Sequence, residues 1–226
     1  MSTKESLPAI VANGATSLEL SNGSREMNGR LCRRILKIEV PDQEGQEWCW
    51  AAVAVGIARA YNPRRQHEGR KLEQCQVATQ VLRKETPSIV CCGGNIECDR
   101  ESELDPALEA VGHLRKPLKG PQTWEFIKSE IDHGRPIAVR IDRDGKGHFL
   151  VITGYGEFSG ARYVYYDDPI SRRGVRSVDS FTIREDGIWT NTYTTKGFRA
   201  RGRQRVPLRF DFDEEVGNDD DARKTS

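Results

Sequence analysis

The chain has 226 residues, of which 36% are hydrophobic and 31% are charged. A chain of this length and composition can bury a core of its own, which excludes a wholly disordered protein. The 35 basic and 34 acidic side chains leave a formal net charge of +1, so no basic excess attracts nucleic acid or an anionic membrane. No apolar run approaches the roughly 20 residues that a membrane helix needs. We therefore expect neither nucleic acid nor a membrane as a partner.

The two ends of the chain differ in composition from its middle. Residues 1–33 are rich in Ser, Asn, Gly and Glu without periodicity, and we interpret them as a disordered tail. Residues 199–226 carry a basic block and then an acidic block, which is typical of a charged, solvated tail. One folded domain is therefore predicted over residues 34–198. Because the N-terminus lacks the apolar segment of a signal peptide, we expect a cytoplasmic protein, with export by a route without a cleavable signal peptide as the alternative.

The first half of the predicted domain has helical patterns. Residues 34–40 alternate up to Pro41 and predict a short strand or an extended lead-in. Helices are predicted after it over residues 48–61, 71–84, 103–114 and 121–133.

The second half has strand patterns separated by Gly-rich turns. Strands are predicted over residues 136–141, 148–155 and 161–167, with weaker ones over 175–184 and 187–195. Helices followed by an antiparallel sheet predict an α+β fold.

Cys49 is the first candidate for chemistry. It follows a polar loop and lies at the start of a predicted helix, where the positive end of the helix dipole lowers the pKa of a thiol. Trp48 and Trp50 flank it, and we expect the two indoles to bind substrate as walls of a cleft. Taken alone, a cysteine at a helix start is more often a small buried residue.

His148 and Asp168 supply what a thiol nucleophile needs. His148 begins an apolar strand, so the sheet holds a ring that can take the thiol proton and later protonate a leaving amine. Asp168 lies 20 residues later, before Pro169, a separation that a strand, a turn and an antiparallel return strand span. Its carboxylate is expected to reach the ring and fix the tautomer. Asp167 is the competitor, but it should face the opposite side of the strand.

Gln43 is the predicted oxyanion donor. It lies six residues before Cys49, and its amide can act together with the backbone N–H of Cys49 at the helix start. Gln46 is the alternative donor, although it has less loop with which to curl back over the cysteine. Each signal is weak alone, and the order of the residues makes them strong together.

These segments resemble the papain-like cysteine peptidase superfamily. The residues that carry the resemblance are Gln43 to Ala52, with Glu-Trp-Cys-Trp-Ala-Ala at the cysteine, Gly147 to Tyr155, and the Asp168-Pro169 pair. Papain itself differs, with Cys-Gly-Ser-Cys-Trp at the nucleophile and Asn as the third member. The segments are similar to two bacterial branches, the bacteriocin leader-processing peptidases and the secreted effector peptidases of plant-associated bacteria, and Trp-Cys-Trp-Ala-Ala to the effector branch in particular.

The resemblance spans about residues 37–198 and implies a papain-like fold, in which an N-terminal helical half packs on a C-terminal antiparallel sheet half. It implies hydrolysis of peptide bonds through a thioester, with Cys49 as nucleophile, His148 as acid and base, Asp168 as its orienter and Gln43 as oxyanion donor. The implied partner is a peptide or protein substrate, and we expect a monomer without a cofactor. Substrate choice does not transfer, because the insert described next is not part of the papain core.

A cysteine-rich insert at residues 85–100 carries Cys91, Cys92 and Cys98. Together with Cys75 these residues have the ligand type of a zinc site, but they contain no Cys-x2-Cys pair, and we expect no metal. Buried thiols or disulfides are the other interpretations. In an exported protein, Cys75 would pair with Cys91 or Cys92, and Cys98 would take the remaining cysteine.

Two other functions compete with peptide hydrolysis. The same cysteine, histidine and aspartate also suit acyl transfer of the transglutaminase type. A non-catalytic module that binds a peptide or zinc is the third possibility. The upstream glutamine and the Trp-Cys-Trp segment favour hydrolysis.

Overall fold

The computed structural model describes residues 32–63, 71–184 and 187–196. The predicted C-terminal tail and all but the last two residues of the predicted N-terminal tail lie outside the described residues. Among the described residues, no helix is both long enough and apolar enough to cross a membrane.

Helices dominate the first half of the described chain. They are α1 (Cys49–Tyr61), α2 (Gln74–Leu82), α3 (Leu104–Ala110) and α4 (Trp124–Asp132), with a 3-10 turn at Ile96–Cys98 and a short α5 (Val178–Thr182) in the second half. α4 begins where the Thr123 hydroxyl accepts a hydrogen bond from the Phe126 N–H.

One antiparallel sheet takes most of its strands from the second half and its first two from earlier in the chain. Its strands are β1 (Cys32–Ile35), β2 (Leu114–Lys119), β3 (Ile137–Arg143), β4 (Lys146–Phe158), β5 (Ala161–Asp168), β6 (Arg172–Ser177), β7 (Ile183–Arg184) and β8 (Gly187–Thr195). The order is β2-β8-β3-β4-β5-β6, with β1 paired to β4 and β7 paired to β8. The prediction of an α+β fold with helices first and an antiparallel sheet second is confirmed.

Two stretches differ from the sequence-based expectation. The predicted helix over 103–114 ends at Ala110, because Gly112 adopts a φ of 78° and the chain turns into β2. β2 exists because it pairs with β8, a partner about 75 residues away that no local pattern reveals. The predicted weak strand over 175–184 is interrupted by α5, which begins where the Ser177 hydroxyl accepts from the Ser180 N–H.

α1 is the centre of the core. All of its residues except Arg59 and Ala60 are buried, and it packs against α2, α3 and β4. Its many Ala and Val side chains allow the neighbouring elements to approach closely. Gly56 marks the closest approach, because a Cβ at this position would lie 2.9 Å from the Cα of Val40 in the lead-in to the helix. The start of α1 is therefore fixed by packing along the whole helix.

We expect Gly56→Ala to destabilise the fold by about 1–3 kcal/mol, because the added methyl meets the Val40 backbone. In an unhindered helix the same change would stabilise by up to about 1 kcal/mol. Urea unfolding measures the free energy of unfolding of the variant and of the wild type. A more stable variant would contradict the close contact.

Candidate active site

Cys49 is buried at the first position of α1, next to the start of β4. Burial raises the pKa of its thiol to about 11, although the backbone N–H groups of Phe149 and Trp50 hydrogen-bond to the sulfur and act in the opposite direction. The helix start lowers this pKa as expected, but burial outweighs it and the net pKa is raised. The contact with the Phe149 N–H places the sulfur beside the residue that follows His148.

His148 and Asp168 meet across neighbouring strands. His148 Nε2 lies 2.9 Å from Asp168 Oδ1, and both side chains are buried. Burial alone would raise the pKa of Asp168, but the hydrogen bonds from His148 and from the Ile170 and Ser171 N–H groups hold it well below the ordinary value. An ionised carboxylate only accepts hydrogen bonds, so Nε2 carries a proton, and the neutral form of the ring has its lone pair at Nδ1.

Asp167 lies on the other side of β5 and has a different role. It accepts a hydrogen bond from the Val40 N–H at 2.9 Å and lies 3.7 Å from Arg173 Nε. Burial raises its pKa. The structure therefore brings Asp168, and not Asp167, to the imidazole, and Asp167 ties the lead-in of α1 to the sheet.

Gln43 sits in the loop before α1, against the end of β5. Its backbone N–H donates to the Pro169 carbonyl at 3.1 Å. Its amide nitrogen donates to the Gly45 and Gln46 carbonyls of its own loop, and its Oε1 is buried without a hydrogen-bond partner among the described residues. Both amide hydrogens are therefore committed within the loop. Gln46, the alternative donor, has an exposed side chain.

A second contact joins the same loop to the turn between β5 and β6. The Asp42 carboxylate pairs with the Arg172 guanidinium, and Arg172 adopts a φ of 68°, a conformation that favours glycine. Together with the bond from Gln43 to Pro169, this ion pair links the loop that precedes the nucleophile to the strand that carries Asp168.

The two tryptophans beside Cys49 do not line a cleft. Trp50 has no exposed surface, so the prediction that both indoles contact substrate is wrong for Trp50. Trp48 is 7% exposed and could contact a substrate only through the edge of its ring. Each indole N–H instead donates to a backbone carbonyl of the insert, from Trp48 to Cys98 at 2.6 Å and from Trp50 to Arg100 at 3.2 Å. Buried indole N–H groups need such partners, which is why both rings turn inward.

Asp99 is a site residue that sequence reasoning missed. Its two carboxylate oxygens accept the backbone N–H groups of Gln46 and Glu47 at 3.1 and 2.9 Å, directly before the nucleophile. Gly45 allows this contact, because a Cβ there would lie 2.7 Å from Asp99 Oδ1. No sequence pattern indicated the pairing, since Asp99 lies more than 50 residues from its partners.

The insert is held by two disulfides, Cys75–Cys92 and Cys91–Cys98. This is one of the two pairings expected for an exported protein. Glu73, Cys75 and Cys92 lie close together, but the two sulfurs are bonded to each other and are not available as thiolate ligands. The alternatives of a zinc site and of free buried thiols are therefore wrong for these four cysteines. Cys49 is the free thiol among the cysteines whose side chains the structure describes.

Comparisons with known proteins give one sequence match and several structural ones. The family model of the Peptidase_C39 like family matches residues 35–197. No curated protein matches the sequence. A structure from work on the mite allergens Blo t 1 and Der p 1 is 16% identical, covers 75% of this chain and 73% of its own, and has a TM-score of 0.46. The digestive procathepsin L 3 of Tenebrio molitor larval midgut is also 16% identical, with 75% and 72% covered and a TM-score of 0.44.

We expect the Cys91–Cys98 bond to control the exposure of Cys49. The double variant Cys91→Ala/Cys98→Ala frees the segment whose carbonyls hold Trp48 and Trp50. Burial raises the thiol pKa, so loosening this segment should lower it. Alkylation of Cys49 by iodoacetamide at pH 8 should then be about tenfold faster for each unit by which the thiol pKa falls. Mass spectrometry measures the rate.

The matched control is Cys75→Ala/Cys92→Ala, which removes the other disulfide. Each double variant should lose about 2–3 kcal/mol of stability, so stability does not separate them. The control should leave the alkylation rate near that of the wild type, and equal acceleration in both variants would contradict the specific role of Cys91–Cys98.

Proposed function

The chain belongs to the Peptidase_C39 like family and is a thiol peptidase, and on this basis we propose that Cys49, His148 and Asp168 are its catalytic residues. The resemblance to papain-like cysteine peptidases is confirmed by this membership. The observation that carries the proposal is the hydrogen bond between His148 Nε2 and Asp168 Oδ1. The Cys49 sulfur lies beside Phe149, the residue that follows His148 in β4.

The first half of the reaction is acylation of the thiol. At neutral pH the thiol of Cys49 is protonated, because its pKa is about 11. His148 accepts this proton at Nδ1 as the sulfur attacks the peptide carbonyl, and Asp168 stabilises the imidazolium that forms. The imidazolium then protonates the leaving amine, the C–N bond breaks, and a thioester remains on Cys49.

The second half is hydrolysis of the thioester. Neutral His148 takes a proton from a water molecule, whose oxygen attacks the thioester carbonyl. The C–S bond breaks, the proton returns to the sulfur, and a carboxylic acid leaves. Asp168 keeps its role in both halves, because its depressed pKa leaves it ionised at neutral pH.

The oxyanion that forms in each half needs donors. The backbone N–H of Cys49 lies at the start of α1, where N–H groups have no partner within the helix. We propose that Gln43 supplies the second donor. Its side-chain amide would give up its hydrogen bond to one of the two loop carbonyls and donate to the developing oxyanion instead. The backbone N–H of Gln43 binds the Pro169 carbonyl and so holds this residue next to the end of the strand that carries Asp168.

We propose a peptide or protein substrate cut by a monomer without a cofactor. The two disulfides support the exported alternative over the cytoplasmic one, because thiols are kept reduced in the cytosol and disulfides persist in oxidising compartments.

Incubation of the purified chain with a peptide library tests the reaction. We expect cleavage products that have gained one water, and Cys49→Ala should abolish them, because an alanine side chain cannot form the thioester. Loss of ammonia from the peptides would indicate acyl transfer instead. Mass spectrometry reads both outcomes, and equal cleavage by Cys49→Ala would sink the proposal.

A histidine pair provides the matched control for the base. His148→Ala should lower kcat/KM by about 10²–10⁴-fold. His133→Ala, at an exposed position at the end of α4, should leave it unchanged.

Substitution of Asp168 separates its charge from its geometry. Oδ1 accepts three hydrogen bonds and Oδ2 accepts none from described residues, so Asn in Asp168→Asn can keep its carbonyl oxygen on the ring. We expect a smaller loss in kcat for Asn, whose carbonyl oxygen can still accept from Nε2, than for Asp168→Ala, which frees the ring. Asp144→Asn, in an exposed turn, is the control, and equal losses for Asn and Ala would contradict an orienting role.

A further inference from the structure

A cavity of about 400 Å³ lies beside the candidate active site. Gly147 and Phe149, on either side of His148 in β4, form part of its wall. Val81 and Leu82 at the end of α2 add apolar surface. The backbone N–H of Phe149 lies near the Cys49 sulfur, so this wall of the cavity adjoins the candidate active site.

Arg140 projects into the wall of this cavity. It pairs in register with Phe149, so its side chain lies on the same face of the sheet. Its guanidinium crosses the position where Gly147 has no side chain, since a Cβ there would lie 2.4 Å from Arg140 Nε. Nη1 is held by Asp142 Oδ2 at 3.2 Å, and the side chain is only 22% exposed. A half-buried cation is thus fixed next to the catalytic strand.

Arg100 supplies a second guanidinium to the same cavity. Its backbone carbonyl is fixed by the Trp50 indole, and its Nε and Nη2 atoms are buried without a hydrogen-bond partner among the described residues. The Glu85 carboxylate lies 3.3 Å from Nη2 as an ion pair, but it is 74% exposed and makes no hydrogen bond. The buried Nε therefore lacks an acceptor, and a carboxylate from a ligand can supply one.

The acidic residues at this cavity lie on its rim. Glu85, Glu101 and Glu103 are all exposed, so water and salt screen their charges. The Arg140 side chain is only 22% exposed and is screened less, whereas the Arg100 side chain is 39% exposed. The apolar surface of Val81 and Leu82 suits the methylene groups of a side chain that ends in a charge.

We propose that this cavity is a substrate subsite that selects an acidic side chain, with glutamate preferred, and that Arg140 is its specificity-determining residue. The inference rests on the proposed peptidase function and extends it to a class of substrate, peptides with an acidic residue close to the scissile bond. The carboxylate would pair with Arg140 and with the Nε donor of Arg100.

Matched peptides test the selection in two ways. Each set is identical except for Glu, Gln or Lys at one position, and successive sets move this position along the peptide. The first measurement is kcat/KM with the wild type. The second is binding of labelled peptides to the Cys49→Ala protein by fluorescence anisotropy, which needs no cleavage.

At one position we expect Glu to be favoured over Gln by about tenfold in both measurements, as for one charge-assisted pair. The Glu-to-Gln ratio should fall to about twofold in Arg140→Gln and should be partly retained in Arg140→Lys, which keeps the charge. Arg162→Gln, an exposed arginine outside the cavity, is the matched control and should keep the full ratio. Arg100→Gln is the second variant should Arg140→Gln fail to fold, and it should lower the ratio.

Three results would overturn the subsite: no preference for Glu at any position, a preference for Lys, or a Glu preference that survives Arg140→Gln. Failure of the peptidase proposal looks different, because the wild type would then cleave no more than Cys49→Ala. The anisotropy measurement decides the subsite in that case as well.

Discussion

The close packing of α1 against the start of β4 is the constraint on which the rest of the structure depends. α1 is buried along nearly its whole length, and Gly56 leaves it no room to shift against the lead-in at Val40. A helix held in this way has a fixed N-terminus, so the sulfur of Cys49 and the backbone of Phe149 are brought into contact. Without that packing, the distance between Cys49 on the helix and His148 on the strand would not be defined.

Burial at this contact affects both the thiol and the neighbouring histidine. It raises the pKa of the Cys49 thiol to about 11, so the resting sulfur is protonated and inert at neutral pH. The same surroundings strengthen the hydrogen bond between His148 and the ionised Asp168, because charges interact more strongly away from water. In the proposed reaction, a thiol that is unreactive alone depends on the neighbouring base, so its reactivity requires the assembled site.

The cysteine-rich insert links positioning to selectivity. Its segment at residues 98–100 accepts both indole N–H groups beside the nucleophile and, through Asp99, fixes the turn before it. Arg100, in the same segment, lines the cavity next to His148. The Cys91–Cys98 disulfide therefore stabilises a segment that binds the residues flanking Cys49 on one side and lines the proposed acidic subsite on the other.

The sequence by itself determined the features that depend on local pattern. These are the helix that begins at Cys49, the strands that carry His148 and Asp168, and the α+β order, because side-chain periodicity and the alternation of strand faces are properties of neighbouring residues. The tertiary structure decided what depends on distant partners: the pairing of β2 with β8, the inward turn of Trp50 and the raised pKa of Cys49. Burial, unlike periodicity, is set by whatever the rest of the chain packs against each residue.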